Sequence, residues 1–148
     1  MAIRPIVLLG AMALLSAGCG SKSSPPLTKA EYVKQMKVIG LGLGQSLNKF
    51  ANASTPKAAG ASLTAAQDDL RTAAKKLDDI NPPENVQAAH QKLVDAVNEF
   101  ADELDPIIQK LNNGNASAAQ LVLTTKGFQA LQAASNAIAK AGYPILSG

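Results

Sequence analysis

The chain predicts an all-α protein, an antiparallel up-down-up-down four-helix bundle, on three observations. Alanine, leucine, lysine and glutamine dominate from Leu27 onward, and these are residues that lose little on entering a helix. Apolar residues recur at spacings of three and four over long stretches, while the alternation of a half-buried strand never persists. Turn-forming groups at Asn81 to Glu84 and Asn112 to Asn115 divide the stripes into segments short-linked enough to lie antiparallel.

The first helix starts at Thr28, whose hydroxyl suits an N-cap with Glu31 reaching back from the N3 position, and Leu27 can staple onto Tyr32. Its stripe is Val33, Met36, Leu43, Leu47 and Phe50, interrupted by Gly40, Gly42 and Gly44. Three interior glycines cost about 3 kcal/mol of helix propensity. They imply a very close helix contact or a break near residue 41, against the plainer reading of a locally weakened core helix. The second helix takes Thr55 as cap and Pro56 as first residue, then carries Leu63, Ala66, Leu70, Ala73, Leu77 and Ile80 inward. Asn81 is the expected cap of the third, with Pro82 and Glu84 at N1 and N3.

The third helix is the most regular: Val86, His90, Leu93, Val97, Phe100, Leu104, Ile107 and Leu111 alternate by four and three, the pattern of a bundle seam. Pro106 removes one backbone donor and predicts a kink, with the stripe continuing beyond it. The fourth helical region runs from about Ala116 to Ala141 with Leu121, Phe128, Leu131 and Ile138 inward, and Gly142 ends it. Thr124, Thr125 and Gly127 weaken its middle, so a short piece to about Thr125 followed by a longer helix from Lys126 is the alternative. The core expected from these stripes is Leu43, Leu47, Leu70, Leu77, Leu93, Phe100, Leu104, Leu111, Phe128, Leu131 and Ile138.

The only cysteine, Cys19, follows an apolar run from Ile6 to Leu15 and the small residues Ser16, Ala17 and Gly18. That run is short for a membrane span and fits the apolar core of an export signal. The stretch from Leu15 to Cys19 resembles a bacterial lipobox, with Ser16 where such signals usually have leucine. The resemblance implies a signal peptide at 1–18, cleavage before Cys19, and acyl chains on its sulfur and on the new amino terminus. Residues 19–27 then form a lipidated tether and 28–148 the helical domain. Acyl chains contribute about 0.8 kcal/mol per buried methylene, ample for anchoring on the extracytoplasmic side of a cell membrane.

Removing residues 1–18 takes away Arg4 and leaves 13 basic against 11 acidic side chains. This near-neutral balance, with no Trp and few aromatics to stack on bases, points away from nucleic acid. Chemistry has few footholds. His90 is the single histidine, so a multi-histidine metal site is excluded, and acylation removes the only thiol. On the apolar seam, His90 reads as a hydrogen-bonded end-layer residue, with ligand or proton switch as the alternative. Asp95, Glu99 and Asp102 share a face that reads as solvated or paired with lysines of the first helix rather than as a cation site.

The Leu-Thr-Lys-Ala-Glu-Tyr start at Leu27 to Tyr32, then the Pro82-Pro83 turn ahead of an early His90, is similar to a loosely defined group of small actinobacterial cell-envelope lipoproteins of uncharacterised function. Members often carry a cysteine where Gly40 stands, so no redox role carries over. The likeness implies a helical envelope lipoprotein with no catalytic residue and no cofactor. Two functions follow from the whole reading. One is a non-enzymatic, membrane-tethered module that binds an envelope protein or has a structural role. The other is a small-molecule or lipid binding protein with a pocket between helices, opened by Gly40, Gly42, Gly44 and the Pro106 kink.

Overall fold

The computed structural model describes residues 25–145; Cys19, the expected export signal at 1–18 and most of the expected tether at 19–27 lie outside them. The domain is all-α, with five α-helices, two 3-10 segments and no strand among the described residues. Helix α1 spans Lys29–Ala51, α2 Pro56–Asp78, α3 Gln87–Glu103, α4 Asp105–Asn112 and α5 Lys126–Lys140. The 3-10 segments are Glu84–Val86 and Ala116–Thr124.

The start of α1 follows the expected capping box, with the Glu31 amide donating to the Thr28 hydroxyl and the Thr28 amide donating to the Glu31 carboxylate at 3.0 Å. Those Thr28 hydrogen bonds hold the Glu31 carboxyl below its usual pKa. Thr55 and Pro56 open α2 as expected, and the Ala58 amide donates to the Thr55 hydroxyl at 3.1 Å. The Asn81 cap does not form on α3. A 3-10 turn preceded by Pro83 intervenes, and α3 begins at Gln87 without a side-chain cap. Helix α1 runs unbroken through Gly40, Gly42 and Gly44, so the break near residue 41 does not occur.

The seam of the third helix is buried along its whole length, from Val86 to Leu111. Pro106 acts more strongly than a bend: α3 ends at Glu103 and α4 restarts at Asp105, leaving Leu104 as the joint. Proline in the first turn of α4 needs no partner for its nitrogen, and the Leu104 amide turns back to the Ala101 carbonyl at 3.3 Å. Buried Gln67 of α2 secures the joint, its side-chain amide donating to the Ala101 carbonyl and to the Asp105 carboxylate, each at 2.7 Å.

Of the two readings of the fourth region, the divided one is correct. Ala116–Thr124 winds as 3-10 and α5 starts at Lys126, where the Phe128 amide donates to the Thr125 hydroxyl. Three residues per turn instead of 3.6 shifts the phase, so Leu121 turns outward, 40 % exposed, and Val122 takes the interior position. Both α4 and α5 finish in Schellman motifs. Gly114 and Gly142 hold φ of 86° and 92°, and the Asn115 amide donates to the Lys110 carbonyl as the Tyr143 amide does to that of Ile138.

Helix α2 sits centrally, packed on α1, α3 and α4, while α5 packs mainly on α3. Gly127 makes the α3–α5 contact close: a Cβ there would strike the amide nitrogen and Cα of Phe100, and would lie 2.8 Å from the Glu99 carbonyl carbon. The Gly127 amide donates to the Glu103 carboxylate at 2.8 Å, placing an anion at the α5 N-terminus. The close approach therefore belongs to Gly127, and not to the α1 glycines.

Candidate functional site

Seven of the eleven residues expected in the core are buried; Leu43, Leu47, Phe128 and Leu131 are only partly so. These four exceptions lie together. They line a cavity of about 220 Å³ between α1 and α5, floored by Leu70 and Leu77 of α2 and by Leu93, Val97 and Phe100 of α3. Met36, Ile39, Gly40 and Gly44 complete the α1 wall, Ser135 the α5 wall, and Ile145 one end.

The glycines explain why the space stays open. Gly40 and Gly44 are one turn apart on the wall, and a Cβ on either would meet nothing within 4 Å. Leucine at these positions of the stripe would project into the gap that two hydrogen atoms leave. Gly42 faces elsewhere, on a separate polar cleft of about 330 Å³ between α1 and α2 that includes Lys49, Asp69 and Lys76. In that cleft the Ser46 hydroxyl donates to Asp69 and ties α1 to α2. The α4 residues contribute nothing to the cavity wall, so the Pro106 kink does not open it.

The wall chemistry is almost wholly aliphatic. Ser135 is its only polar side chain, and it is 5 % exposed. Phe100 and Phe128 stand at one end with ring centroids 5.6 Å apart. Ile145 closes in at the other; two residues before it the Tyr143 ring meets Tyr32 edge-on at 5.4 Å, and the Lys29 ammonium lies 5.4 Å from its centroid.

His90 is outside this wall. It is 3 % exposed and joins three elements. Its Nε2 lies 2.8 Å from the Leu77 carbonyl, which can only accept, so Nε2 carries the proton and Nδ1 accepts from the Tyr32 hydroxyl at 3.0 Å. Both ring nitrogens are engaged inside the protein, which makes His90 a tie between α1, α2 and α3. Burial, with the neighbouring Tyr143 phenol second, raises the Tyr32 pKa. The Tyr143 hydroxyl donates in turn to Asn85 at 2.8 Å.

The acidic face of α3 pairs with α2 rather than with the lysines of α1: Arg71 lies 3.5 Å from Asp102, both largely exposed. No group of His, Cys, Asp or Glu among the described residues is arranged to hold a metal ion. No described helix is long and apolar enough to cross a membrane. Sequence reasoning missed the Tyr32–His90 pair and the pocket hydroxyl of Ser135. Helical periodicity gave no register between α1 and α3, and a serine among alanines carries no signal of what it faces. No protein-family model matches this chain, and no curated protein or solved structure matches it either.

Proposed function

We propose that this chain is a non-enzymatic, lipid-anchored protein of the bacterial cell envelope whose helical domain binds a small apolar ligand between α1 and α5. The anchoring half rests on the lipobox-like stretch ending at Cys19. The ligand half rests on one observation, the cavity of about 220 Å³ with fourteen apolar or glycine positions and one hydroxyl. We take the architecture as an up-down-up-down bundle with its α1–α5 side unsealed.

A dry cavity of about 150 Å³ lined by Leu, Ile and Phe accommodates a benzene-sized molecule; this groove, open along the exposed Gly40 and Gly44, exceeds that volume and falls short of the roughly 300 Å³ of a drug-sized pocket, so it suits a slender guest. Its walls offer burial for hydrocarbon and almost nothing for a polar solute. The rival reading, a protein partner, needs a contiguous exposed apolar patch. Val38 and Leu41 stand out from α1 while Leu121 and Leu123 stand out from the 3-10 segment, and neither pair is large.

Native mass spectrometry of protein purified from its own membrane tests both halves. The expected result is a chain beginning at Cys19 with added acyl mass, carrying a non-covalent apolar adduct that denaturation removes. A mature chain without acyl mass overturns the anchor. Absence of any adduct, together with failure to take up the fluorescent probe N-phenyl-1-naphthylamine, overturns the ligand.

A further inference from the structure

We propose that the occupant of the cleft is a single unbranched acyl chain whose anionic head lies at the Lys37 end, an inference that rests on the apolar-ligand reading above. Length is the first argument. The α1 wall runs from Met36 to Leu47 and the α5 wall from Phe128 to Ser135, about 16 Å and about 10 Å at 1.5 Å per residue. About 220 Å³ spread over that length makes a long, narrow space. An extended alkyl chain, with bonds of about 1.5 Å at about 111°, advances about 1.25 Å per carbon, so about 9 to 14 carbons fill it.

Charge gives the orientation. Between Lys29 and Gly40 on α1, and between Gln132 and Ile145 on and after α5, the charged residues are Lys29, Glu31, Lys34, Lys37 and Lys140, and the end of α2 around Leu77 adds Lys75, Lys76, Asp78 and Asp79, leaving an excess of positive charge. The Glu31 carboxylate is already held by Thr28. Lys37 is half-buried one residue from Met36, and no carboxylate pairs with it among the described residues. The opposite end, at Leu47, Phe100 and Phe128, carries Glu99 and Glu103 together with Lys49 and Lys126, a balanced set, and Glu103 is already held at the α5 N-terminus. A carboxylate or phosphate head is therefore favoured at the lysine end over the balanced one.

Displacement of N-phenyl-1-naphthylamine from the full chain by straight-chain fatty acids tests this. Affinity should rise about fourfold per methylene, the equivalent of about 0.8 kcal/mol, and level off between about 9 and 14 carbons. Gly44→Leu should move the plateau to shorter chains, whereas Gly42→Leu, off the wall, should leave it in place. Lys37→Glu should weaken fatty acids about two- to fivefold relative to alkanols of the same length. Displacement in both the acylated and the Cys19→Ala chain assigns the cleft to free lipid; displacement in the Cys19→Ala chain alone assigns it to the protein's own acyl groups, which have no anionic head, and overturns that part of the proposal. Probe uptake with a flat chain-length series, or better displacement by compact ring compounds, overturns the acyl chain and leaves the apolar-ligand reading standing. No probe uptake overturns both.

Discussion

A Cβ placed on Gly127 would run into the backbone of Phe100, whereas one placed on Gly40 or Gly44 would meet nothing within 4 Å. Substitution should therefore act in opposite directions. Gly40→Ala and Gly44→Ala should each stabilise the domain by about 1 kcal/mol through helix propensity, while Gly127→Ala should destabilise it by about 1 to 3 kcal/mol through forced separation of α5 from α3. Thermal or urea melts of the three variants check this; a melting temperature lowered by Gly40→Ala would contradict the open wall. The cost of glycine in α1 was legible in the sequence, but its purpose was not. Propensity reports what a residue loses in its own helix and says nothing of whether a neighbour or a void lies opposite. Tyr32 makes a second residue-scale case. Because burial raises its pKa, its contribution is complete below the unfolded phenol value of about 10 and is lost as pH rises beyond it. Stability should fall above about pH 10, and Tyr32→Phe should flatten that fall while costing about 1 to 3 kcal/mol at neutral pH by leaving His90 Nδ1 without its donor. Denaturant midpoints measured across pH 7 to 11 would show both effects.

Most elements whose identity depends on local chemistry were readable in advance, the Asn81 cap being the exception; those that depend on what packs beside them were not. The Thr28–Glu31 box, the Thr55-Pro56 start and the Gly142 stop are properties of a few consecutive residues, and each formed as expected. The unbroken four-three spacing from Val86 to Leu111 placed its buried face correctly even across Pro106, because a one-residue joint at Leu104 preserves the stripe. What the spacing could not supply was the partner that makes a joint tolerable. Gln67 is that partner, a polar residue in the buried face of α2 that meets both the Ala101 carbonyl and the Asp105 carboxylate. Gln67→Leu keeps the volume and removes the donors, so it should destabilise the domain by about 1 to 3 kcal/mol. Hydrogen exchange should then quicken around Leu104 first; unchanged exchange there would mean the joint is held by packing alone. The phase error at Leu121 comes from reading an α-helical period into Ala116–Thr124, which winds as 3-10.

At the scale of the molecule, the cleft and the stability of the helices around it are linked. Helix α2 has neighbours on three sides and α3 is clasped by α2 and α5, but α1 packs chiefly on α2. The same helix holds the three glycines and a stripe in which only Tyr32 and Met36 among the large apolar side chains are fully buried. Few buried contacts and low intrinsic propensity together mark a segment that opens at lower free energy than the whole fold. The tie from Tyr32 to His90 pins the first turns of α1, and Ser46 pins it to Asp69 farther along, so the groove-facing stretch between them is the part free to move. A ligand in the cleft would supply the contacts that α1 lacks toward α5, and binding to the folded state alone adds stability that grows with ligand concentration. Amide exchange should accordingly be faster over residues 37–45 than in the middle of α2 or α3. Saturation with a ligand of the cleft should slow it in α1 and at the facing turns of α5, with little change in α4. Gly40→Leu should reproduce part of that protection without ligand, because its side chain fills the same gap. Equal exchange in α1 and α3, unaltered by either treatment, would show that the α1 side is as firmly held as the seam and would remove the mechanical basis for a cleft that admits a guest.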